Sequence, residues 1–474
     1  MATLALSLAG QAVGGLVGGP IGATIGRALG ALAGSALDNA LFGEKPETDG
    51  VDIRLQGSSE GGAVPRLFGW SRLAGNTIWA RELELLGGEN AGAKGFGGDQ
   101  TQDAVGASFA VAFCEGEVHR LGRIWADGQL LDPEGLTLRF YRGTEDQLPD
   151  GVIEATQGTA PAYRGLCYLV VEQLPLNRFG NRIPQLSVEL CRVVGDLEAN
   201  IRAVTVIPGA TEFGYDPTPR VRLAGPGETV GENTHVFPHV SDWSWSIDEL
   251  KALCPNLQHV ALVVAWFGDD LRCGQCSIGP RVEAAHRPML DTDWSVAGLA
   301  RGDVPVVSSH NGSVAYGGTP SDSAVLAAIA DLKARGLSVT LYPLIMMDIP
   351  TDNMLPNPYG GAAQPSYPWR GRITCDPAPG QPGSPDQSAA ASAQVASFAA
   401  AHRQMALHYA GLAVAAGGVD ALIISSEMVG ISTVRRAGNS FPFVDALVSL
   451  ASDVRAIVGP DTKLTYAADW SEYA

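Results

Sequence analysis

The chain has 474 residues, 46% of them hydrophobic and 17% charged, a balance that describes folded domains and excludes a disordered chain. A chain this long divides into about two or three domains, each with enough residues for its own core. A formal charge of −18 excludes a surface that wraps nucleic acid, which needs clustered Lys and Arg, and seven cysteines are too sparse for a disulfide scaffold.

The first predicted element is a Gly/Ala-rich helix over residues 1–43. Gly10, Gly14, Gly18, Gly22, Gly26, Gly30 and Gly34 recur at every fourth position, so on a helix they form a bare stripe where another backbone can approach closely. No charged residue precedes Arg27. As one helix, Met1 to Gly26 would run about 39 Å, enough to cross a hydrocarbon core of about 30 Å. The run has no Lys or Arg at its start, unlike a secretory signal. Each Gly costs about 1 kcal/mol relative to Ala, so helicity here depends on packing. Two readings stand together: a buried oligomeric bundle with glycines at the contact, and a segment held in such a bundle that later enters a membrane. A polar linker, Glu44 to Gly50, follows.

Residues 51–242 read as mainly β. The runs Val51–Leu55, Ala107–Phe113, Leu136–Tyr141, Leu166–Val171 and Leu186–Leu190 are β-rich and separated by Gly, Pro, Asp and Asn. The glycine-dense stretch Gly87–Thr101 reads as a loop. From 243 to 474 strands alternate with helices. Strands are expected at Val260–Trp266, Val304–Val307, Ser338–Tyr342, Ala421–Ile424 and Lys463–Ala467, and helices near 321–335, 388–416 and 443–457, with Gly336, Gly417 and Gly459 as stops. That alternation predicts a parallel sheet of the (β/α)₈ type, with five units before Ala474. It is either an open sheet or a barrel whose later units follow, and the uncovered strand end at 466–473 favours the second.

Ordered motifs carry a family resemblance. Ala63-Val-Pro-Arg-Leu-Phe-Gly69, Leu73-Ala-Gly-Asn-Thr-Ile-Trp-Ala80, Phe113-Cys-Glu-Gly116, Ile124-Trp-Ala-Asp-Gly128, Arg139 to Gln147, Ala162-Tyr-Arg-Gly165 and Leu174 to Pro184 resemble the tail-tip and hub proteins of long-tailed phages. Trp266-Phe-Gly-Asp-Asp270, Cys273-Gly-Gln-Cys276, Pro368-Trp-Arg-Gly-Arg-Ile373, Ser425-Ser-Glu-Met428 and Tyr466-Ala-Ala-Asp-Trp470 resemble the glycosidase-like barrel in the large baseplate protein of gene transfer agents. The resemblance implies a homotrimeric baseplate component at the distal tail of a phage-like DNA-delivery particle. It implies contacts with other tail and baseplate proteins, attachment to a host envelope surface or glycan, and a penetration role at the host membrane for residues 1–43. DNA would pass without specific binding. No cofactor or metal is expected.

In such a barrel the site lies at the C-terminal strand ends. Those ends offer Asp269 and Asp270, His310 and Asn311, Asp348, Glu427, and Asp469, Trp470 and Glu472. Glu427 stands where many barrel glycosidases keep their acid/base, although Ser426 precedes it where Asn is common, and their nucleophile comes from a seventh strand. The Pro- and Gly-rich insertion Asp348–Asp386 carries Tyr359, Tyr367, Trp369, Arg370 and Arg372, residues suited to stacking on and hydrogen bonding to sugars. Asp348, Trp369, Arg370, Arg372, Trp470 and Glu472 form the expected binding set; the alternative is a plug or oligomer contact. Cys273 and Cys276 read as buried thiols, a disulfide or a metal pair, and His402 and His408 as ordinary helix positions.

Overall fold

The computed structural model describes residues 63–86, 104–207 and 212–473. The glycine ladder, the Glu44–Gly50 linker, the Val51–Leu55 run and the Gly87–Thr101 loop lie outside the described residues. No helix among the described residues is long and apolar enough to cross a membrane.

The β-rich region forms two antiparallel sheets. Its strands are β1 (Gly69–Ala74), β2 (Asn76–Ala80), β3 (Glu84–Leu86), β4 (Ala104–Glu115), β5 (Arg120–Ala126), β6 (Gln129–Leu131), β7 (Thr137–Tyr141), β8 (Leu166–Pro175) and β9 (Leu186–Arg192). One sheet runs β1-β9-β5-β6; the other runs β2-β4-β8-β7, with β3 also on β4. Side chains alternate across a strand, so β4 and β8 feed two cores. Phe109, Val111, Phe113, Leu169 and Val171 face the cluster shared with the first sheet, which Val188 and Leu190 complete. Ala110, Ala112, Tyr168 and Val170 face the other way, against Trp79 and Ile153. Ile153 comes from helix α1 (Gly151–Gln157), whose N-cap Asp150 accepts from the N–H groups of Val152 and Ile153.

The main path of the third sheet is parallel and its strands follow chain order: β10 (Ala203–Val206), β11 (His259–Gly268), β12 (Ser338–Met347), β13 (Ala421–Ser426) and β14 (Lys463–Ala467), with the short Ile278–Gly279 antiparallel on β11. Helices α2 (Asp242–Leu253), α3 (Asp322–Ala334), α4 (Ala389–Ala415) and α6 (Pro442–Val458) connect them, with the short α5 (Val429–Ser432) after β13. Central β11 reads as an unbroken apolar run because both its faces are covered. The three expected glycine stops take left-handed φ values of 77°, 75° and 77° at Gly336, Gly417 and Gly459.

Two expectations need correction. Val304–Val307 is not a strand of this sheet; Val306 makes only an isolated bridge to Val282, and Pro305 has no N–H to give a ladder. The first strand is instead Ala203–Val206, paired in parallel with His259–Leu262, so the α/β sheet draws on chain well before the border expected at 243.

Candidate functional site

The strand ends gather Trp369, Arg370 and, through Tyr466, Glu472 around Glu427. Glu427 directly follows β13 and holds a left-handed φ of 51°, a conformation that a non-glycine residue keeps only when its surroundings enforce it. Its N–H donates to Ala467 O at 2.8 Å, and the N–H of Met428 donates to Tyr466 Oη at 2.8 Å, so the turn is pinned to β14 on both sides. Its carboxylate Oε2 accepts from Trp369 Nε1 at 2.9 Å and from Arg370 Nη2. Arg370 Nε donates to Ser426 O and to Ser426 Oγ, each at 3.2 Å, so one guanidinium spans Ser426 and Glu427. Ser426, the departure from the family pattern, thereby becomes a fastening point. Among the described residues Glu427 Oε1 has no hydrogen-bond partner, and the side chain is 33% exposed.

Close backbone approach makes this arrangement possible. A Cβ at Gly430 in α5 would stand 2.5 Å from Ile373 O and 2.8 Å from Gly371 O, and one at Gly371 would strike the Trp369 ring at 2.4 Å. The insertion is a structured cap. Its Thr374 N–H donates to Leu271 O at 2.9 Å, its Thr374 O accepts from Cys273 N, and its Tyr367 N–H donates to Ile349 O. Its Ile373, Thr374, Cys375 and Ala378 are buried. Arg372 is held apart from Glu427, its guanidinium 4.9 Å over the Tyr359 ring and its carbonyl accepting from Tyr359 Oη.

Glu472 joins through Tyr466. Its Oε1 accepts from Tyr466 Oη at 2.7 Å and from Ser432 Oγ at 3.4 Å, and its Oε2 from the N–H of Asp469 at 2.8 Å. Burial, reinforced by this carboxylate, pushes the Tyr466 phenol well above its ordinary range, so it remains a donor. Trp470 is 84% exposed and Trp369 41%, leaving two indoles open at the strand-end side.

The structure does not bring Asp348 into this group. Its side chain is fully buried; Oδ2 pairs with Arg281 at 2.6 Å and accepts from Ser308 N, and Oδ1 accepts from Ser308 Oγ. Full burial withdraws it from any ligand at the strand ends. Asp270 is likewise engaged, by Arg272 and by Gln364 at 2.7 Å, and Asp269 accepts from Ser277 N. His310 and Asn311 lie on an exposed hairpin. Cys273 and Cys276 are buried free thiols, and burial pushes the Cys276 thiol up to about 12. His408 Nε2 bonds Asp322 Oδ1 at 2.9 Å. Sequence reasoning missed Ser426, Tyr466 and Gly430 as parts of the cluster. For Tyr466 the signal was present, since it stands in a strand beside Glu427's strand; for Gly430 there was none.

The fold and the strand-end cluster define a TIM-barrel-like α/β region joined to an antiparallel β region. In particular, residues 400–474 match the family described as the GTA TIM-barrel-like domain, a stretch that holds Glu427, Tyr466, Trp470 and Glu472. A search of curated proteins gives no match. Among solved structures the chain is similar to a protein in the virion of a native gene transfer agent particle, with 39% identity over 38% of this chain and 44% of that one, at a TM-score of 0.28. It is also similar to a GH113 β-1,4-mannanase in a complex structure, with 15% identity over 46% of this chain and 47% of that one, at a TM-score of 0.26. The GH113 β-mannanase AaManA from Alicyclobacillus acidocaldarius gives 15% identity over 46% and 45%, at a TM-score of 0.25. The chain spans less than half the length of each of these proteins.

Proposed function

We propose that the chain is a structural tail component of a phage-like DNA-delivery particle, a baseplate or tail-tip hub protein. In this reading the β-rich region contributes to a ring around the channel, and the barrel-like region lies outside it and meets the host envelope or its glycan. Residues 1–43 serve penetration of the host membrane. The observation that carries the reading is the family match over 400–474, which falls on the β13–β14 unit with the Glu427 cluster. The tail motifs of the β-rich region support it. The charge of −18 suits a wall along which DNA slides without being held. A cryo-EM map of the assembled particle tests it: three copies around the tail axis are expected, with the β-rich regions forming the ring. A ring needs heterologous contacts that close on rotation, so six copies or a single off-axis copy overturns the assignment.

A second reading, a particle-borne glycoside hydrolase, draws on one observation. Glu427 Oε1 has no partner among the described residues, and the side chain stands beside the partly exposed Trp369. A positioned acid/base contributes about 10²–10⁴-fold, so Glu427→Gln in the full-length protein should lower turnover of cell-wall or capsular glycan by that factor. Unchanged turnover in an active preparation removes this role. The structural reading has the stronger support, because Glu427 Oε2 is bound to the cap and both oxygens of Glu472, the neighbouring carboxylate in this network, already accept hydrogen bonds.

A further inference from the structure

A second group of ligating atoms lies where the β-rich region meets the α/β region. Asp132 and Glu134 sit in the turn after β6, and His239 in the loop before α2. His239 Nδ1 stands 3.3 Å from Glu134 Oε2 and 3.6 Å from Asp132 Oδ2, and the three ligand atoms all lie within 4.8 Å of one another. Two of the three groups are held from behind. Asp132 Oδ1 accepts from the N–H of Glu134 at 3.0 Å, which leaves Oδ2 to face the imidazole. The His239 ring stacks on buried Phe237, with centroids 5.8 Å apart and planes 20° from parallel.

The separations are informative. Hydrogen bonds between such atoms run about 2.7–3.2 Å, so these three groups converge without satisfying one another. Zinc bonds to N and O ligands of about 2.0–2.2 Å place the ligands of a tetrahedron about 3.3–3.6 Å apart, which is the spacing of His239 Nδ1 from each of the two carboxylates, while the three atoms together lie within 4.8 Å. An imidazole with two carboxylates suits a zinc-type ion better than Mg²⁺ or Ca²⁺, which take oxygen ligands. Two carboxylate charges cancel the charge of the ion. Asp132 and Glu134 are 45% and 68% exposed, so water can reach a fourth position.

We propose that Asp132, Glu134 and His239 bind a zinc-type divalent cation that fastens the β6 turn to the chain entering α2. It would add to a fastening already present on that seam. Arg120 of β5 already lies 4.9 Å over the Trp245 ring of α2 and donates to Trp245 O at 3.3 Å. The site owes nothing to the strand-end cluster and stands whether or not the proposed tail role does.

The test uses full-length protein stripped with a chelator and titrated with Zn²⁺ alone, beside the variants Glu134→Gln and His239→Gln. Wild type should take up one equivalent that both variants lose. Substitutions outside the ligand shell already cost about 10–100-fold in affinity, so loss of a ligand should weaken binding by about 100-fold or more. Co²⁺ in place of Zn²⁺ should give the visible absorption of a tetrahedral site in wild type only. Unfolding of a variant is read separately by circular dichroism, and the conservative Glu134→Gln change on an exposed side chain keeps the test open if His239→Gln misfolds. Absence of uptake by wild type, or equal affinity in a folded variant, overturns the proposal.

Discussion

His402 is a buried imidazole that lines a cavity between α4 and α6. It sits in α4 with its ring stacked on Phe398 and tilted against Phe443, and burial lowers its pKa from the ordinary 6.5 to about 4. The neutral ring is therefore favoured in the folded state, while the unfolded chain takes up a proton near 6.5. Stability is complete above the unfolded value and is lost as pH falls from 6.5 toward 4. Between about pH 7 and about pH 5 the wild type should lose about 2 kcal/mol from this group, and His402→Leu should flatten that part of the profile, as urea unfolding at each pH will show. A slope unchanged in the variant would place the titration elsewhere. The role of Glu427 as a strand-end residue was legible in the sequence because the apolar run before it stops there. Its partners were not legible, since Trp369 and Arg370 reach it across 58 and 57 residues of chain. Asp348 shows the converse case, a strand-end carboxylate whose partner Arg281 lies 67 residues away and turns it inward.

At the scale of elements, α5 and the 370–373 turn of the cap touch through two glycines. Gly430→Ala would put a methyl group 2.5 Å from a backbone carbonyl, which cannot yield as a flexible side chain does. Overpacking of this kind costs about 1–3 kcal/mol, so the urea midpoint should fall with the slope unchanged. A midpoint equal to wild type would mean that the cap can lift from the sheet at no cost. Helices α3 and α4 were readable from runs of Ala and Leu and α6 from its apolar periodicity, each closed by a glycine stop. The strand expected at Val304–Val307 failed because β-branched apolar residues also fill buried loops, and Val307 does so here. Strand β10 escaped notice because it has only four residues, of which every second one is exposed.

At the scale of the molecule, the change from antiparallel to parallel architecture was legible, since alternation with helices leaves a different pattern from hairpins. The border was not, because β10 reaches back across it to pair with β11. That chain-ordered sheet has a consequence for synthesis. Each strand's nearest partner on one side has already left the ribosome, so the sheet can grow in one direction as the chain emerges. The pause between additions is unequal. After β12 ends at Met347, the cap and α4 must be made before Ala421 begins β13, roughly 4–15 s at about 5–20 residues per second. Through that interval the far edge of β12 lies open, and Val339, Leu341 and Ile345, all buried in the finished protein, still await much of their cover. The long connection that shapes the Glu427 cluster is thus also the longest wait between any two successive strands of these five.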